Sequence, residues 1–117
     1  MKPVRVILSP DAESVYQRLN SAAPTSKLDQ SILNAINKKV ELIKANPHYG
    51  QPISKDKIPE EWKHEYGINN LFRVELPQFW RMLYTLTNSD SEVEIIAFVL
   101  EISNHEKYDK RLGYKRN

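Results

Sequence analysis

Three features predict an α+β domain. The chain opens with a short alternating strand, continues with two segments of helical spacing that carry cap chemistry, and ends in three strands. The predicted architecture is an N-terminal strand, a two-helix hairpin, then an antiparallel meander of three or more strands, in a single domain over residues 1–117. A length of 117 residues supports one domain, and a hydrophobic fraction of 40% is enough for its core.

Val4, Val6 and Leu8 alternate with Arg5, Ile7 and Ser9, the period of a strand with one face more apolar than the other. Ser9-Pro10-Asp11 then starts a helix. Ser9 can accept from free backbone N–H groups, Pro10 suits the first helical position, and Asp11 and Glu13 complement the dipole. Ala12, Val15, Tyr16 and Leu19 follow at helical spacing, and the helix is expected to fade near Asn20-Ser21. A second helix begins at Thr25 or Ser26 and stops before Asn46-Pro47. Its stripe is Leu28, Ile32, Ala35, Ile36, Val40 and Ile43, with Lys38, Lys39, Glu41 and Lys44 mostly facing away. Two helices so closely joined form an antiparallel hairpin whose apolar stripes need a sheet to cover.

Residues 47–70 read as a long connection punctuated by Pro47, Gly50, Pro52, Pro59 and Gly67, with Ile58, Trp62 and Ile68 as anchors. A loop of that length is functional or hides a short element. Phe72, Val74 and Leu76 then alternate with Leu71, Arg73 and Glu75, and Pro77-Gln78 makes a turn. Trp80, Met82, Tyr84 and Leu86 alternate with Arg81, Leu83 and Thr85. Asn88 to Ser91 is a hairpin loop, and residues 93–102 form the most apolar strand, with neighbours on both edges.

Composition excludes several functions. A formal net charge of +2 and a pI of about 8.8 permit a nucleic-acid partner without arguing for one. With no cysteine, disulfides, thiolate nucleophiles and cysteine-ligated zinc are ruled out. His48, His64 and His105 lack ligand spacing on a shared element, so no metal and no cofactor are expected. The first eight residues hold no apolar stretch of signal-peptide length, and no run approaches the ~20 apolar residues of a membrane span. A cytoplasmic protein without a membrane partner is expected.

Chemistry concentrates in the C-terminal half. Arg81 sits in the apolar run Phe79-Trp-Arg-Met-Leu-Tyr84, where a guanidinium is costly unless it is paired or reaches solvent at a binding surface. The tail after Asn104 supplies His105, Tyr108, Tyr114 and the cations Lys107, Lys110, Arg111, Lys115 and Arg116. If the 88–92 loop joins adjacent strands, Arg81 lies opposite a residue near Val99. His105 would then be ~20 Å further along an extended chain. The two share a site if the chain turns sharply after Ile102, and Ser103-Asn104 is the place for that turn.

This order of elements, with the segments LFRVEL, FWRMLYTL and VEIIAFVLEISNHEKYDKRLGY, resembles the RelE/ParE superfamily of toxins from toxin–antitoxin systems. The most specific pieces are the strand arginine followed by Leu83-Tyr84, and the His105…Tyr108 segment after the last strand. RelE-like members cleave mRNA without a metal, typically in the ribosomal A site. ParE-like members share the fold and poison DNA gyrase. Both are neutralised by a cognate antitoxin protein that wraps the toxin.

The resemblance implies a metal-free ribonuclease in which the RNA 2′-OH is the nucleophile. A base removes its proton, an acid protonates the departing 5′-oxygen, and fixed cations stabilise the phosphate. Arg81 corresponds to the family's strand arginine and would clamp the scissile phosphate; the bland alternative is a pair with Glu75 or Glu101. Arg73 is a second phosphate contact or a cross-strand ion pair. Lys63 and His64 lie where RelE-like enzymes carry basic groups, or are simply solvated in a charged stretch. His105 is the acid/base candidate, since imidazole titrates near neutral pH. Tyr108 and Tyr114 would stack on a base or donate a proton, or merely pack. Lys107, Lys110 and Arg111, with Lys115 and Arg116, would contact RNA backbone, or form a solvated end. The alternatives to the ribonuclease are a gyrase-binding toxin and a non-catalytic binding member, the latter favoured by the acidic neighbours Glu75, Glu101 and Glu106.

Overall fold

The computed structural model describes residues 2–89 and 94–113. Strand β1 (Val4–Leu8) leads into helix α1 (Pro10–Ala22) through Ser9, whose side-chain oxygen accepts from the Ala12 N–H at 3.1 Å. The same buried hydroxyl donates to the Leu100 carbonyl at 2.8 Å, so the cap also ties the helix start to the sheet. Helix α1 runs past the expected stop at Asn20-Ser21, and a 3₁₀ turn over Ala23–Thr25 joins it to α2 (Lys27–Ala45). Ser26 caps α2 by accepting from the Asp29 N–H at 3.2 Å. The buried stripe of α2 is Ile32, Leu33, Ile36 and Ile43, with Ala35 and Val40 half-buried beside it. Leu28, expected in that stripe, is instead half exposed: it lies in the first turn, and Leu33 takes the inward place.

The sheet has five strands in the order β1-β5-β4-β3-β2, with β3 (Phe72–Glu75), β4 (Arg81–Asn88) and β5 (Ile95–Ser103) forming the antiparallel meander. The sheet is mixed, because β1 lies parallel to β5, with Val4 opposite Ile95 and Leu8 opposite Val99. The α1–α2 hairpin belongs to the long crossover that makes this parallel pairing possible. As expected, β5 has neighbours on both edges. Besides a 3₁₀ turn over Lys55–Lys57, the residues 47–70 hold two elements that the sequence left as loop. One is strand β2 (Gln51–Pro52), pairing antiparallel with Arg73 and Phe72. The other is helix α3 (Glu60–Tyr66), stopped by Gly67 in the left-handed region. A last helix, α4 (His105–Leu112), replaces the expected tail, with Asn104 accepting from the Lys107 N–H at 3.0 Å. Of the predicted features, Asp90 and Ser91 of the loop, Val93 of the strand, and Tyr114, Lys115 and Arg116 of the tail lie outside the described residues.

The two sheet faces have separate cores. Helices α1 and α2 cover Val74, Met82, Tyr84, Ala97, Val99 and Ile102. Helices α3 and α4 cover Leu71, Leu83 and Leu100 with Trp62, Tyr108 and Leu112, and the expected anchors Ile58 and Ile68 join them. Tyr84 fastens the 47–50 segment to the sheet. Its hydroxyl donates to the Pro47 carbonyl at 2.8 Å and accepts from the Gly50 N–H at 2.9 Å. Its ring stacks on its cross-strand partner Phe72. Burial pushes the phenol above its usual range, which keeps the donor proton in place. A Cβ on Gly50 would stand 2.9 Å from Tyr84 Cε1 and 3.1 Å from the Arg73 carbonyl oxygen. Gly50→Ala is therefore expected to lose about 1–3 kcal/mol by overpacking, and Tyr84→Phe about the same by orphaning a buried N–H. Urea denaturation midpoints measure both losses; midpoints equal to wild type would contradict this account of the clasp.

The β3–β4 connection turns tightly, with the Trp80 N–H donating to Pro77 at 3.3 Å and the Leu76 N–H to Trp80 at 2.9 Å. Gln78 (φ 60°, ψ 33°) and Phe79 (φ 62°) both occupy the left-handed region. Hairpins of this hand usually use Asn and Gly there. Each larger side chain costs roughly 1–2 kcal/mol.

The β4–β5 register differs from expectation. Asn88 pairs with Ile95, which moves the register three residues from the predicted one, and a bulge at Leu83/Tyr84 adds one more. Arg81 therefore lies opposite Ser103, four residues beyond the expected Val99. Among the described residues no helix is long and apolar enough to cross a membrane.

Candidate active site

Side chains alternate across a strand, so Arg73, Glu75, Arg81, Glu101 and Ser103 share the face opposite the α1–α2 hairpin. Glu75 is directly across from Arg81 and two residues from Arg73. Its Oε2 is 3.2 Å from Arg81 Nε, and its Oε1 is 3.4 Å from Arg73 Nε. The pairing anticipated as the bland reading of Arg81 is thus present. The two guanidiniums share this one carboxylate. The Glu75 side chain is 60% exposed, whereas those of Arg73 and Arg81 are 24% and 17% exposed. Such a carboxylate at the rim holds its partners weakly and can swing aside.

Tyr108 aims both arginines. Its hydroxyl accepts from Arg73 Nη1 at 3.2 Å, and Arg81 Cζ stands 5.6 Å from its ring centroid. Arg73 Nη2 also donates to Gln51 Oε1, and Arg81 Nη1 to the Trp80 carbonyl at 3.2 Å. Tyr108 is buried. Its ring is therefore not open for a nucleobase, and its place is beneath the cations as a positioning residue.

His105 reaches this end of the sheet through the register. Ser103 ends β5 opposite Arg81, Asn104 caps the helix, and His105 is the first residue of α4. The turn required after Ile102 falls at Ser103-Asn104, and the ~20 Å extended separation does not arise. The half-buried imidazole meets the Phe79 ring edge-on, with centroids 5.9 Å apart. Phe79 precedes Arg81 by two residues and is 70% exposed. Sequence reasoning passed over it; the available signal was an aromatic beside the Pro77-Gln78 turn, just ahead of the strand arginine.

A second charged cluster lies between α3 and α4, in a groove of about 400 Å³ lined by Glu61, Lys107, Lys110 and Arg111. Arg111, expected to contact RNA, is committed to structure. Its Nε donates to buried Glu101 Oε1 at 3.0 Å, its Nη1 pairs with Glu61, and its Cζ lies 5.1 Å from the Trp62 ring centroid. Burial raises the Glu101 carboxyl above its usual range, opposed by Lys107 and by a hydrogen bond from the Ser103 hydroxyl. Lys107 and Lys110 are exposed on α4 and open to an anion. Lys63 pairs with Glu60 at 3.2 Å, and His64 is exposed on α3. Neither takes part in the contacts that join Arg73, Arg81 and Tyr108. Among the described residues no three His, Cys, Asp or Glu side chains cluster as a metal site.

Comparison of the chain with protein-family models, curated proteins and solved structures gives no significant match.

Proposed function

We propose that this chain is a metal-free endoribonuclease of the RelE/ParE toxin type, cutting mRNA on the ribosome and held in check by a cognate antitoxin. The observation that carries the reading is the pairing of Arg81 with Ser103. Followed at once by the Asn104 cap, it brings His105 to the end of the sheet that holds Arg73 and Arg81.

The two guanidiniums would receive the scissile phosphate in place of Glu75, donating in pairs to its non-bridging oxygens. The 2′-oxygen attacks phosphorus, the P–O5′ bond breaks, and a 2′,3′-cyclic phosphate and a 5′-hydroxyl result. One proton leaves the 2′-hydroxyl and one arrives at O5′, and His105 is the group suited to moving a proton there. Arg73 and Arg81 stabilise the charge that builds on the phosphate oxygens, held ready by Tyr108 so that little reorganisation is needed. Lys107 and Lys110 would follow the flanking backbone, where each phosphate neutralised makes binding more salt-sensitive.

Induced expression tests the reading. Wild-type protein is expected to arrest growth and to leave mapped cuts in cellular transcripts. His105→Ala is expected to cut about 10²–10⁴-fold more slowly with an unchanged melting temperature. Undiminished cutting by His105→Ala would remove the imidazole from the mechanism. Growth arrest through gyrase inhibition with intact transcripts would replace the ribonuclease with a gyrase-binding toxin. A harmless, folded wild type would leave a non-catalytic binding member.

A further inference from the structure

The Phe79 ring has two features that stability alone does not account for. It stands in solvent, 70% exposed, at the tip of the β3–β4 hairpin. It also shares with Gln78 a left-handed backbone that a phenylalanine adopts at a cost. Glycine would suit the turn better, and a polar side chain would suit the solvent better. Backbone strain of this kind points to use when the residue also borders a site. Here the ring meets His105 edge-on and lies two residues, ~7 Å of strand, from Arg81.

We propose that Phe79 is a nucleobase platform, on which an unpaired base of the RNA stacks next to the scissile phosphate. The inference rests on the ribonuclease reading and deepens it by assigning the site's contact with the base. Stacking suits every base, because each presents a π-face, so the platform selects single-stranded RNA without selecting sequence. The ring belongs to neither core and is 70% exposed, which leaves it open to a base. The arginines then grip the phosphate while the ring orients the attached nucleotide for in-line attack. Tyr108, one of the two tyrosines that the sequence offers for stacking or proton donation, is buried below, against the two arginines.

The test uses the full chain and a mixed-sequence RNA decamer carrying 2′-deoxyribose, which binds without being cut. Phe79→Gly suits the turn, so its melting temperature is expected to rise by about 3–6 °C. Its affinity for the decamer is expected to fall about 10- to 100-fold, with Phe79→Trp close to wild type. A variant that is more stable and binds less cannot owe its loss to misfolding. Binding by Phe79→Gly equal to wild type, or no binding by wild type, overturns the platform. The outcome separates from the parent reading through transcript cutting. If Phe79→Gly binds and cuts normally while Arg81→Ala does not cut, the platform falls and the nuclease stands. If wild type binds through Phe79 yet cuts nothing, the platform stands and the nuclease falls.

Discussion

Arg81→Ala is expected to reduce transcript cutting by about 10²–10³-fold while the protein stays folded. The first half follows from the proposed chemistry, in which a preorganised donor pair stabilises the charge that develops at phosphorus. The second half follows from the contacts. Arg81 pairs with a carboxylate that is 60% exposed, and pairs of that kind contribute about 0–1 kcal/mol. Removing the guanidinium leaves Glu75 free to hydrate and to keep Arg73, so no charge is stranded in the interior. The melting temperature should fall by no more than a few degrees. Arg81→Lys separates charge from shape. It keeps the cation but loses the planar fork, and is expected to recover part of the cutting. Wild-type cutting by Arg81→Ala, measured alongside its melting curve, would sink the ribonuclease reading. A large drop in melting temperature would instead assign the arginine to the fold.

Arg111→Ala is expected to be the most destabilising surface-side substitution, by about 3–5 kcal/mol, which corresponds to a loss of roughly 10 °C or more. The reason is the contrast with Glu75. Glu101 is 3% exposed, so losing Arg111 leaves a buried carboxylate with only the Ser103 hydroxyl as a direct partner and Lys107 further off. The pH dependence follows from the sign of the Glu101 shift. Burial raises its folded-state pKa, so the folded chain binds this proton more tightly than the unfolded chain does. That contribution is fully present below the unfolded carboxyl value and is lost as pH rises through the raised folded value. The deficit of Arg111→Ala should therefore shrink as the pH is lowered from 8 towards 5. Adding Glu101→Gln should remove most of the deficit at neutral pH by removing the buried charge. A melting curve unchanged from wild type, or one that worsens on acidification, would show that this ion pair does not hold α4 to the sheet.

The first helix, the second helix and four strands were legible because their signals are local. Ser9 and Ser26 are acceptors placed ahead of periodic apolar residues, and the caps formed where that chemistry put them. Helices α3 and α4 were not legible for the converse reason. They have seven and eight residues and are mostly charged, too short to hold helical structure alone. They exist because Trp62, Tyr108 and Leu112 find Leu71, Leu83 and Leu100 on the sheet. Leu28 was misplaced by the same limitation, since periodicity places residues on a face and cannot say which turn of that face the sheet covers.

The candidate site divides in the same way. Sequence by itself determined that an arginine would sit in an apolar strand and that a His–Tyr segment would follow the last strand. It also marked Ser103-Asn104 as the place for a turn, if one occurs, because Asn and Ser favour such a break through their own backbone bonds. Only the tertiary structure decided that Arg81 faces Ser103, that Arg111 is spent on Glu101, and that Tyr108 lies under the arginines rather than in front of them. Register depends on loop length and on a bulge, and both are settled by which long-range pairing buries the most. A residue's neighbours in sequence cannot express that choice, since it is made between strands that meet only when the chain has folded.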